Sequence, residues 1–66
     1  MKLVKTSMMP EEFFEALSAQ VPNGIYDYKE ETAIFPHDCL ETLESLPMVE
    51  EIRSEGITIY FMVIDV

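Results

Sequence analysis

The chain has 66 residues and a mass of 7.6 kDa, enough for one small domain spanning residues 1–66. Hydrophobic residues make up 48% of it, which excludes a disordered acidic tail. Thirteen Asp and Glu against four Lys and Arg leave a formal net charge of −9, the wrong sign for neutralising nucleic-acid phosphates or for docking on an anionic membrane.

Lys2–Lys5 reads as a short first strand carrying Leu3 and Val4. Thr6 or Ser7 then offers a helix-capping hydroxyl, Pro10 suits a first turn, and Glu11 and Glu12 suit its positive end. The helix runs to about Gln20. Met9, Phe13, Leu17 and either Gln20 or Val21 form its apolar stripe, widened by Phe14 and Ala16. Pro22-Asn23-Gly24 stops it. Ile25–Tyr28 and Thr32–Phe35 read as two strands joined through Lys29-Glu30-Glu31, a polar connection without the Gly or Asn of a typical hairpin turn. Pro36 ends the third strand. His37 and Asp38 open a second helix, with Asp38 a candidate N-cap; Leu40, Leu43 and Leu46 are its buried stripe and Pro47 its end.

Residues 49–54 admit two readings. Val49 and Ile52 have helical spacing, and Glu50 and Glu51 tolerate a helix. Glu55-Gly56 before ITIYFMVIDV resembles a two-residue turn, which makes Val49–Ser54 a strand of a terminal hairpin, the reading adopted here. The last strand is rich in β-branched and aromatic residues. The resulting order is β-α-β-β-α-β-β. Its first six elements match the ferredoxin-like arrangement, an α+β sandwich with two helices on one face of an antiparallel sheet.

Few positions suggest chemistry. Glu11/Glu15 and Glu41/Glu44 share helix faces by spacing, but no apolar sequence surrounds them to split their pKa values, so solvated faces are expected. His37-Asp38-Cys39 places a base, an acid and a thiol in succession, yet neighbours at a helix start point apart. Cys39 reads as a small core residue, and one His with one Cys is too few for a zinc site. Gly24 and Gly56 are isolated turn glycines, and the acids do not follow calcium-loop spacing. Tyr26, Tyr28 and Tyr60, with Phe61 and Met62, could form a base-stacking platform on the open face of the sheet, but basic residues to flank it are scarce. The chain is therefore expected to be no enzyme and to hold no cofactor or metal.

A lone Cys suits a reducing compartment, the N-terminus lacks the apolar core of a secretory signal, and Ile57–Ile64 falls far short of a membrane span of ~20 residues. A cytoplasmic protein is expected. A core this small is commonly supported by self-association.

Two surfaces carry functional expectations. Glu11, Glu12, Glu15, Asp38, Glu41 and Glu44 would line two helices as a row of carboxylates, able to imitate phosphates before a basic, nucleic-acid-binding protein. In these bulk features the chain is similar to small phage-encoded inhibitors of host defence, anti-CRISPR proteins and DNA mimics among them. That similarity implies an inhibitor with a protein partner and no direct contact with nucleic acid. The second surface is the last strand, where Tyr60 and Met62 lie on a side that stays apolar although helices are expected only on the other. This implies a homodimer through the C-terminal strand or its open face, and a regulatory or structural module as the alternative function.

Overall fold

A computed structural model describes all 66 residues. Strand β1 (Lys2–Thr6) leads to helix α1 (Glu11–Ser18), then β2 (Ile25–Asp27) and β3 (Thr32–Pro36). A 3₁₀ turn (His37–Cys39) runs into α2 (Leu40–Glu44), followed by α3 (Pro47–Ser54) and β4 (Phe61–Asp65). The four strands form one sheet in the order β2-β3-β1-β4, every neighbour antiparallel. The protein is thus a small α+β domain with a four-stranded antiparallel sheet and three α-helices.

The registers sort the side chains. Val4 stands between Phe35 and Val63, and Tyr26 opposite Ala33, on the side facing the helices. Val4, Ala33 and Phe35 are fully buried there, with Leu17 from α1, Leu43 from α2 and Val49 from α3. Met9 and Val21, just outside α1, complete its stripe, whereas Ala16 and Gln20 are exposed. Phe14 bridges to the sheet, with its ring 5.3 Å from Tyr26 and 6.2 Å from Phe35.

The strand expected over Val49–Ser54 is instead helix α3. Pro47 does not end the preceding helix but occupies the first turn of the next, where its missing N–H costs nothing. Val49 is buried while Glu50 and Glu51 face water, as the helical spacing allowed. Gly56 closes α3: its φ is +90°, its N–H donates to Arg53 O at 3.0 Å, and Ile57 N–H reaches back to Ile52 O at 3.4 Å. This is a Schellman termination. A hairpin turn and a helix end both demand a glycine with positive φ, so one signal served two structures.

Capping differs as well. No side chain caps α1, α2 or the 3₁₀ turn, and Asp38 is no N-cap. The hydroxyls of Thr6 and Ser7 tie strands instead. Thr6 Oγ1 accepts from Ala33 N–H at 2.9 Å; Ser7 Oγ donates to Thr58 O at 3.3 Å and accepts from Tyr60 N–H at 3.2 Å. Between β2 and β3, Asp27 Oδ1 accepts from the N–H groups of Lys29 and Glu30, and Glu31 takes a left-handed φ of 56°. An aspartate and a strained glutamate thus replace the missing Gly or Asn.

Candidate functional site

The two anticipated surfaces fall on different sides of the molecule. Glu11, Glu12 and Glu15 are exposed on α1, with the first two in its first turn, where the helix dipole favours them. Asp38 is exposed on the 3₁₀ turn, and Glu41 and Glu44 on α2. Asp38 and Glu41 meet: with His37 and Leu40 they line a shallow depression of about 350 Å³. Glu44 Oε1 faces Arg53 Nη2 at 3.3 Å, the one ion pair in the molecule. Arg53 also donates from Nε to Ile59 O at 2.9 Å, and its guanidinium lies 5.8 Å from the Phe61 ring centre. These bonds fasten α2 and α3 to the approach to β4.

Glu50, Glu51 and Glu55 belong to the same acidic population and were not anticipated as site residues. Their helical periodicity was the available signal, and the strand reading of residues 49–54 hid it. No group of three or more His, Cys, Asp or Glu lies close enough to hold a metal ion. Cys39 is half-buried against the core, and no helix is long and apolar enough to cross a membrane.

The open side of the sheet carries Met62, as its alternation required. Ile25, Ile34, Lys5 and Met62 form one row across all four strands; Pro36, Leu3 and Ile64 form the next. Met62 is 48% exposed and Ile25 69%. Ser7 N–H donates to Tyr60 O at 2.9 Å, continuing the β1–β4 ladder and putting Tyr60, 53% exposed, on this same side.

The three tyrosines do not assemble as a platform. Tyr26 is on the helix-covered side of edge strand β2, while Tyr60 adjoins the opposite edge strand. Tyr26 packs edge-on against Tyr28 at 5.0 Å and donates its hydroxyl to Met9 O at 2.7 Å. Desolvation of the ring hydroxyl, then the nearby carboxylates of Glu31 and Glu11, hold its pKa above the ordinary tyrosine value.

Compared with protein-family models, with curated proteins and with solved structures, the chain matches none. Shape and surface define its class: a small α+β domain with acidic helices over one sheet face and a largely apolar face left open.

Proposed function

We propose that the protein is a small acidic, non-catalytic interaction protein that binds and inhibits a protein with a basic, nucleic-acid-binding surface. One observation carries this reading: of thirteen carboxylates, twelve lie outside any ion pair within the molecule. Every one is exposed except the half-buried Asp27. Internal compensation is therefore nearly absent, and the negative potential is available to a partner. Such a field accelerates encounter with a positive groove and weakens as salt rises, because the Debye length falls from ~10 Å at 0.1 M to ~3 Å at 1 M. The kind of inhibitor proposed is the phage anti-defence or nucleic-acid-mimic kind, acting in the cytoplasm.

The finer fold reading proposed with it is ferredoxin-like. Its support is that β1 and β2 run parallel with β3 between them, and β3 and β4 run parallel with β1 between them.

The test is retention of proteins from a nuclease-treated cell extract on the immobilised chain. Nucleic-acid-binding proteins should be retained at ~0.15 M salt, released at ~1 M, and displaced by added duplex DNA. The triple variant Glu11→Lys, Glu15→Lys, Glu41→Lys should lower retention at least tenfold while leaving Glu44–Arg53 intact. Equal retention by the variant at both salts would remove this surface from consideration.

A further inference from the structure

Strand β4 has a hydrogen-bonded neighbour, β1, on one side only. Which backbone groups face the free side follows from the ladder. Met1 and Val66 exchange both N–H···O bonds, at 3.0 and 2.9 Å, and Ser7 N–H donates to Tyr60 O. Bonded pairs alternate along an antiparallel ladder, so Tyr60, Met62, Ile64 and Val66 are turned toward β1. Phe61, Val63 and Asp65 therefore direct their N–H and C=O groups outward.

This edge lacks the usual protection. β4 contains no Pro, no Lys and no bulge, since it pairs one-to-one with β1 over five residues; its single charge is Asp65. Val63 lies on the helix-covered side of the sheet yet is 44% exposed, so the helices stop short of the edge. The opposite edge strand, β2, has only three residues.

We propose that β4 pairs antiparallel with β4 of a second copy of this chain, across a two-fold axis at Val63. In this register Phe61 stands opposite Asp65 of the other copy, Val63 opposite its own equivalent, and Met62 opposite Ile64. It is the one register that pairs all the outward groups of β4, giving six hydrogen bonds by the antiparallel rule. Charge complements it. Arg53 sits over the Phe61 ring, and Asp65, in no ion pair within its own chain, is delivered from the second copy directly across from that ring. Arg53 uses Nε on Ile59 O and Nη2 on Glu44, which leaves Nη1 for the incoming carboxylate. The two Val63 side chains cover each other, and the helical acid held at Arg53, Glu44, is already neutralised by it. The repulsion between two copies of charge −9 opposes the pairing. Added salt therefore strengthens the dimer, whereas it weakens capture of a basic partner, so this inference and the acidic reading stand or fall separately.

The experiment combines sedimentation mass with amide hydrogen exchange on the intact chain, from about 10 μM to about 1 mM. A dimer is expected, favoured at ~1 M over ~0.1 M salt, with the Phe61, Val63 and Asp65 amides gaining protection as it forms. Val63→Pro removes an outward N–H and none of the β1 ladder, so it should be folded and monomeric, with folding checked by circular dichroism. Asp65→Lys, at an exposed site, puts like charge beside Arg53 and should weaken the dimer about tenfold. A monomer throughout the range overturns the proposal. So does a dimer whose three edge amides stay unprotected, since that dimer meets through the open face.

Discussion

Gly24 shows how one atom can matter in a domain this small. A Cβ built there would overlap the Phe35 ring, the largest side chain of the core, while the Gly24 φ lies outside the left-handed region. The position is glycine because the backbone between α1 and β2 passes directly over that ring, not because the turn needs unusual dihedrals. Only 13 of the 66 residues are buried, so the core has few neighbours able to yield. Gly24→Ala should destabilise by ~1–3 kcal/mol, the usual cost of overpacking, and lower the urea midpoint at unchanged slope. An unaltered midpoint would mean that Phe35 can move aside freely. The residue scale was only partly legible in advance. Leu17 and Leu43 are buried as their spacing required, whereas Val21 and Leu46 reach the core from just outside the helices and Leu40 stays half-buried. Sequence position suggests that Thr6 or Ser7 caps a helix start; both hydroxyls instead hold strand segments together, because their partners, Ala33, Thr58 and Tyr60, are remote in the chain.

At the scale of elements the instructive case is α3. Its local signals were contradictory: helical spacing at Val49 and Ile52, against a glycine followed by a strongly β-prone run. The conflict resolves through Leu46 and Val49, which enter the shared core with Val4 and Phe35 only if the chain coils after Pro47. Gly56 then ends the helix. Nothing lies within 4 Å of where its Cβ would stand, so a substitution there meets backbone strain alone. Gly56→Ala should cost ~1–2 kcal/mol and increase hydrogen exchange in the last turn of α3, read by NMR. A neutral effect would contradict the Schellman termination. The sheet elements were more legible, since β2 and β3 appear within a residue of expectation. The final strand is shorter than its composition suggested, as regular pairing begins only at Phe61.

For the whole molecule, charge is the dominant feature. Net −9 with a single ion pair means that folding concentrates like charges with little compensation. Screening should therefore stabilise the fold. Raising NaCl from ~0.05 to ~1 M, in dilute protein so that association contributes little, should raise Tm by several degrees; ~1 kcal/mol corresponds to ~4–8 °C at this size. A flat or falling Tm would show that the carboxylates are spaced widely enough not to oppose folding. The same distribution gives the molecule two unlike sides. Acids populate the helices and the β2–β3 connection, while the open sheet rows carry only Lys5 and, at the β2 edge, Asp27 as charged side chains.

Composition and periodicity by themselves determined the acidity, the mixed α and β content, the two leucine- and phenylalanine-rich helix stripes and the apolar character of both sides of the last strand. These are properties of neighbours along the chain, within reach of local spacing rules. Three matters were decided only by tertiary packing. Residues 47–54 coil because that conformation brings Leu46 and Val49 into the core while leaving Glu50 and Glu51 in water. Tyr26 is drawn beneath α1, away from Tyr60, because β2 and β4 end on opposite edges of the sheet. Phe61, Val63 and Asp65, rather than their neighbours, face outward from the free edge, because the ladder with β1 sets the alternation of bonded pairs. Each depends on contacts between residues far apart in the chain, which local spacing does not encode.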